Sequence, residues 1–299
     1  MARTAKALRE ENSRQAKLAA IQAEAKRRRS RINVTIGAVV GVFVVVIAMI
    51  VVKVATDKPK GADVSTAASS AVIKDVTSVP AAVFDKVGLG SAGNAPVAVP
   101  GGTQVPASGL PKLLYVGAEY CPYCAAERWG VVAGMARFGT FTGLGQTSSS
   151  STDTDPNTPT LSFHGAKYTS KYFTFAGYEQ TDRNQQALDT VPAADQKLLT
   201  KYDATPYLPA SSAGSIPFIF FGGKYIISGA SYDPGTLAGM SHAQVAKAMS
   251  DPTSKVAQGI DGTANVVSAL ICTMTNQQPS NVCSSSGVQA AAKLVPSAG

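Results

Sequence analysis

The sequence is short of charge, of histidine and of cysteine. Charged residues make up only 15% of its 299 residues. The two histidines, His164 and His242, share no ligand spacing with each other or with a cysteine pair. A zinc site therefore lacks its ligands, and each histidine reads as a surface or loop residue. Basic excess is missing from most of the chain. Residues 1–33 carry ten Lys/Arg against three Glu, and the other 266 carry 17 Lys/Arg against 16 Asp/Glu. The net charge of +8 is thus no basic field for nucleic acid. An unpaired cysteine is missing too. The four fall into two local pairs, Cys121/Cys124 and Cys272/Cys283, which suits an oxidising compartment.

What is present begins with organisation. Residues 1–33 form a polar, basic arm ending in Lys26-Arg27-Arg28-Arg29 and Arg31. The simpler reading is a topology signal; the functional alternative is contact with anionic lipid headgroups. Val34–Val52 follows, 19 residues without a charge. As a helix this stretch spans roughly 28 Å, close to the hydrocarbon thickness of a bilayer. Lys53-Val54-Ala55-Thr56-Asp57 is a poor cleavage site, so an uncleaved anchor is preferred over a signal peptide. The positive cluster before the span places the N-terminus in the cytoplasm and the C-terminal bulk outside the membrane. Residues 53–109, rich in Ala, Ser, Gly, Val and Pro, read as a linker with a short helix over 80–87, where Pro80 and Gly88 suit its two ends.

The chemistry concentrates at Cys121-Pro122-Tyr123-Cys124. Leu113-Leu114-Tyr115-Val116 before it is an unbroken apolar run, as expected of a strand buried on both faces. Ala125 to Phe138 after it reads as a helix, with Ala125, Trp129, Val132, Ala133 and Ala136 on one stripe and Glu127, Arg128 and Arg137 largely off it. Strand, Cys-x-x-Cys, helix and a later Ile216-Pro217 are together the pattern of thioredoxin-like redox proteins. A helix N-terminus favours an anion, so the Cys121 thiol should ionise more readily than a free one. Cys121 would then be the exposed nucleophile and Cys124 the buried resolving residue. An X-Pro bond is the one place where a cis peptide is cheap. A cis Ile216-Pro217 would set the Ile216 backbone beside the sulfurs to hold an extended substrate; a trans proline at a strand start is the alternative. Glu119 is either a proton acceptor for Cys124 or, more simply, an exposed carboxylate at a strand end. Cys272 and Cys283 read as a structural disulfide, with a second redox pair as the sharper alternative.

The remaining order supports one domain over residues 110–299. Gly143 to Pro159 reads as a mobile polar insertion. Leu161-Ser162-Phe163-His164 and Tyr172-Phe173-Thr174-Phe175 are strand-like, the second being the better candidate to run parallel to the first strand. A short helix is expected over Pro192–Tyr202. A hairpin is expected from Ile216 to Ser228 about Gly222-Gly223. A helix is expected from a Ser241/Gln244 capping box, and a last one from about Gly262 to Met274. The fold class is α/β, a thioredoxin-like fold with insertions preceded by a single transmembrane helix.

Gly117-Ala118-Glu119-Tyr120-Cys121-Pro122-Tyr123-Cys124-Ala125-Ala126-Glu127-Arg128-Trp129 resembles a family of membrane-anchored, thioredoxin-like proteins of unknown function from actinobacteria and archaea. The likeness covers roughly residues 75–275. Cys-Pro-Tyr-Cys is also the glutaredoxin active-site sequence, but glutaredoxins lack the anchor and the long insertions. The resemblance implies the fold and the location, and supplies no substrate. The expectation is a membrane-tethered, extracytoplasmic thiol–disulfide oxidoreductase. Its partners would be the thiols and disulfides of exported proteins, the membrane through residues 34–52, and a redox partner that resets the cysteines. Neither a cofactor, a metal nor nucleic acid is implied. The rival is a non-enzymatic tethered binding or assembly module that uses both cysteine pairs as staples.

Overall fold

A computed structural model describes residues 65–297. The basic arm 1–33, the span 34–52 and the start of the expected linker lie outside the described residues. Among the described residues no helix is long and apolar enough to cross a membrane.

The described chain starts with β1 (Thr66–Ala67), α1 (Ser70–Thr77) and α2 (Ala81–Val87). Residues 65–109 are therefore not a linker. Ser69 caps α1 by accepting the Val72 N–H at 3.3 Å, and Val72, Val76, Val83, Phe84 and Val87 are buried. Small residues and low charge give this stretch a linker's composition. Its valines and one phenylalanine nonetheless recur at helical spacing and reach the core. The short helix bounded by Pro80 and Gly88 is present as expected.

The order continues β2 (Val97–Ala98), β3 (Pro106–Ala107), β4 (Leu110–Gly117), α3 (Pro122–Ala136), β5 (Thr140–Thr142) and β6 (Gly145–Ser148). Then come β7 (Pro159–Ser162), β8 (Lys167–Thr169), β9 (Thr174–Glu179), α4 (Ala193–Tyr202), β10 (Phe218–Phe221) and β11 (Tyr225–Ser228). A 3-10 turn at Pro234–Leu237, α5 (His242–Ala248), α6 (Lys255–Met274), α7 (Ser280–Cys283) and α8 (Ser286–Ala292) complete it. The class is mixed α/β with several sheets.

The central sheet runs β2-β11-β10-β4-β9, with β3 also paired to β4. β4 pairs antiparallel with β10 and parallel with β9. Because strand side chains alternate, Leu113 and Tyr115 face one core with α3 and α6, while Leu114 and Val116 face a second with Tyr202 and Leu208. That two-sided burial is why the run carries no polar residue. Gly222 and Gly223 both have positive φ (60° and 87°), and the Lys224 N–H donates to Phe221 O at 3.0 Å. Only glycine adopts both conformations cheaply, so this pair closes the β10–β11 hairpin.

Two registers place the site. Val116 stands opposite Phe218, which brings Ile216-Pro217 to the end of β4 that leads into Cys121. Gly117 stands opposite Glu179 in the parallel pair, which brings Glu179 to the same end.

Helix α6 starts at Lys255, seven residues before the sequence suggests. Ser254 caps it by accepting the Ala257 N–H at 3.0 Å. Gly259 and Gly262 lower intrinsic helicity, but a Cβ on Gly262 would lie 2.3 Å from Leu89 O and one on Gly259 2.7 Å from the Tyr232 ring. The glycines are contact points. Gly130 and Gly134 do the same for α3, where a Cβ on Gly130 would lie 2.4 Å from Thr263 Cγ2.

Cys272 and Cys283 are joined by a disulfide linking α6 to α7. Closing so short a loop contributes about 3 kcal/mol in the chain-entropy model. Replacing both by alanine should lower the unfolding free energy by about that amount in a urea titration. The reactivity of Cys121 should be unchanged; a change there would instead favour a relay between the pairs.

Candidate functional site

Cys121 is the N-cap residue of α3, with extended backbone (φ −77°, ψ 122°), and Pro122 occupies the first turn. Proline suits that place because its missing N–H has no helical partner there. The Cys121 sulfur accepts the Cys124 N–H at 3.3 Å. On its other side the Ile216 carbonyl lies 3.8 Å away, and the Ile216–Pro217 peptide is cis. Cys121, Cys124, Ile216 and Pro217 are thus brought together at one end of β4. Both cysteines are free thiols. The disulfide-bonded Cys272 and Cys283 belong to the α6–α7 junction.

Cys121 is less open than expected. It is 5% exposed, and Cys124 is fully buried. The exposed member of the quartet is Tyr123, at 45%. The polar insertion supplies part of the covering. It is an ordered hairpin rather than a mobile loop: β6 and β7 pair from Gly145↔Ser162 to Ser148↔Pro159. The Ser149 N–H donates to Thr158 O, and the Ser150 N–H donates to Tyr120 O at 2.8 Å, next to Cys121. Serine and threonine hydroxyls fill the tip's internal hydrogen bonds, so a composition typical of loops is here a built turn.

The two thiols are pushed apart in acidity. A hydrogen bond from Cys124 chiefly holds the Cys121 thiol below its ordinary value; burial opposes, and the Cys124 N–H and the Arg128 charge add to the lowering. Burial pushes the Cys124 thiol well up, and the neighbouring Cys121 adds to that. A low-lying thiol at the cap and a high-lying one behind it suit a nucleophile and a proton-bearing partner.

Beneath the pair lies a buried polar cluster. Arg128 and Glu179 are both fully buried and make a bidentate pair, Nε to Oε1 and Nη2 to Oε2, each at 2.7 Å. Arg128 also donates to Ala118 O at 2.6 Å and to Thr160 Oγ1 at 3.1 Å. Burial raises the Glu179 carboxyl and Arg128 opposes it; two parallel short bonds are the geometry of an ionised pair. The sequence suggests that Glu127 and Arg128 lie off the buried stripe, yet both are inside, because α3 is covered all round. Glu127 accepts from Ser231 N and Oγ at 2.7 and 3.0 Å, and burial raises its carboxyl to about 7. Glu119 is likewise no exposed strand-end carboxylate. It is fully buried; Oε1 accepts from Ser162 Oγ at 2.5 Å, and Oε2 has no hydrogen-bond partner among the described residues. The β6–β7 sheet covers it.

Sequence reading singles out the cysteines and Ile216-Pro217 and passes over Arg128 and Glu179. The signal for Arg128 is its place four residues after Cys124 and seven after Cys121, on the same helical face. Glu179 offers no local signal, since only the β4–β9 register brings it there. His164 pairs with Asp189 at 2.7 Å. His242 Nε2 lies 2.6 Å from Thr147 O and 3.1 Å from Thr160 O, tying α5 to the β6–β7 sheet. Among the described residues no group of three or more His, Cys, Asp or Glu is placed to hold a metal ion.

No curated protein and no solved structure matches the chain. A family model described as a domain of unknown function, DUF929, matches residues 101–273, more than half of the sequence, and the chain belongs to that family.

Proposed function

We propose that this protein is a thioredoxin-like thiol–disulfide oxidoreductase, tethered to the cell membrane through Val34–Val52 and acting on exported proteins outside it. The observation that carries the reading is Cys121 at the cap of α3, its sulfur between the Cys124 N–H at 3.3 Å and the Ile216 carbonyl at 3.8 Å. Strand, Cys-x-x-Cys, helix, parallel strand and Ile-Pro hairpin, in that order around one sheet, support the thioredoxin-like assignment. The basic arm before an apolar, charge-free span supports the tether and its orientation.

In the reducing direction the Cys121 thiolate attacks one sulfur of a partner disulfide. A Cys121–partner bond forms and the partner's other sulfur leaves as a thiolate, which takes up a proton. Cys124 then gives up its proton and attacks Cys121 Sγ. The Cys121–Cys124 bond forms, the second partner thiolate leaves, and two electrons have passed from the pair to the partner. The oxidising direction is the reverse. The reduction potentials of pair and partner decide between them. The Ile216 backbone, beside the sulfur, offers an extended substrate segment a strand-like hydrogen bond.

The test is thiol trapping of the full-length chain across a series of glutathione redox poises. Cys121/Cys124 should titrate between dithiol and disulfide, and Cys124→Ala should accumulate mixed disulfides at Cys121. A pair that stays oxidised at every poise, with no trapped partner on Cys124→Ala, overturns the enzyme reading in favour of the structural module. Protease added to intact cells should remove the C-terminal domain; protection of that domain overturns the orientation.

A further inference from the structure

The Arg128–Glu179 pair is poorly explained by stability alone. A buried ion pair gains little over apolar residues of the same volume, since desolvating two charges offsets their attraction. Here the pair is fully buried, with Arg128 on the helix that Cys121 caps. Arg128 lies one helical turn below Cys124 and two below Cys121. Its guanidinium also donates to Ala118 O, in the loop that leads from β4 into Cys121. Glu179 enters from the β9 side of β4 and takes Nε and Nη2. Phe163 N–H holds the same carboxylate at 3.3 Å. The guanidinium is therefore fixed from several directions, and in a low-dielectric interior a fixed charge acts over several ångströms.

We propose that Arg128, clamped by Glu179, is a positioning charge that favours the thiolate at Cys121 and so makes the pair a stronger oxidant. This rests on the thiol–disulfide exchange reading of the site. The dithiol form carries a thiolate and the disulfide form carries none. A positive charge behind the sulfurs stabilises the former only, which raises the reduction potential. Glu179 sets the strength of the effect: it holds the guanidinium in place and cancels part of its field. Arg128 bears on both sulfurs in the expected sense. Unlike the Cys124 hydrogen bond, which follows from the Cys-x-x-Cys spacing, it depends on a residue the motif does not contain.

The test is the pH dependence of Cys121 alkylation by iodoacetamide in the reduced full-length chain, followed by mass spectrometry of the Cys121 peptide. This readout needs no exchange activity. Replacing the pair together, Arg128→Met with Glu179→Met, should raise the midpoint by about half a pH unit, roughly threefold in the thiolate–thiol ratio. Glu179→Gln, which keeps the cation and removes its counter-charge, should lower it. The glutathione equilibrium should move the same way, toward the disulfide in the double variant and toward the dithiol in Glu179→Gln. A folded double variant with the wild-type midpoint overturns the proposal by itself, whether or not Glu179→Gln folds. A shifted midpoint without glutathione exchange supports the positioning role and overturns only the exchange reading.

Discussion

Arg128→Met alone should lower the unfolding free energy of the domain by about 3–5 kcal/mol. The substitution leaves the Glu179 carboxylate at zero exposure with its counter-ion gone and only the Phe163 N–H donating to it at 3.3 Å. It also leaves Ala118 O without its 2.6 Å donor. An unpaired buried charge costs far more than a lost surface contact, because neither water nor a second cation reaches it. Adding Glu179→Met should restore most of the loss, since two methionines fill similar volume without a charge to desolvate. Urea unfolding of the single and double variants measures both numbers. Equal losses in the two would mean that packing, not charge, holds Arg128 where it is. The single and double variants separate two properties of one pair. Its removal as a unit should be almost neutral for stability while moving the acidity of Cys121.

The parts of this protein legible in its sequence are those whose physics is local. An unbroken apolar run before a cap and a Pro-containing first turn place β4, Cys121 and α3 correctly, because each signal lies within a few residues of what it specifies. The Ser241/Gln244 capping box is legible for the same reason: both of its hydrogen bonds are present, at 3.3 and 2.8 Å. Ile216-Pro217 is found at a distance only because the motif raises the question of where a second backbone segment meets the sulfurs. What is not legible depends on register or on covering. Glu179 lies 51 residues from Arg128, and nothing near it in the chain marks it as a counter-ion. Glu119 and Glu127 read as surface carboxylates because carboxylates seldom go inside; here the β6–β7 hairpin and the Ser231 segment cover them. Residues 65–92 and 143–159 show the limit of composition. Ala, Ser and Thr serve mobile chain and ordered turns alike, and Val72, Val76 and the Ser149–Thr158 pairing decide between them.

Stability should also fall as the solution is made alkaline from mildly acid, and Asp261 should carry the largest single share of the fall. It lies in the interior of α6, fully buried, and neither carboxylate oxygen has a hydrogen-bond partner among the described residues. Burial raises its carboxyl to about 8, with the Arg137 charge opposing. Glu127 is raised to about 7 for the same reason, but the two bonds from Ser231 counter it. In the unfolded chain both groups lose their proton near pH 4. Between that value and about 8 the folded state therefore binds more protons than the unfolded state, and the slope of stability against pH is negative. The contribution is complete below about pH 4 and is lost as pH rises through 8, by an amount on the order of a few kcal/mol. Asp261→Asn removes the proton uptake and keeps the shape. It should make the profile shallower between pH 4 and 8, and the variant should unfold at higher urea than the wild type at pH 8. The two should converge below about pH 4, where the wild-type carboxyl is neutral in the folded and the unfolded chain alike. Parallel profiles for the two proteins would place the pH dependence elsewhere. Alkylation of Cys121 should accelerate with pH as thiolate forms, whereas the scaffold beneath it weakens over the same interval. The conditions that make the Cys121 thiol most reactive are those in which α6, packed against α3 through Gly130 and Gly134, holds that helix least firmly.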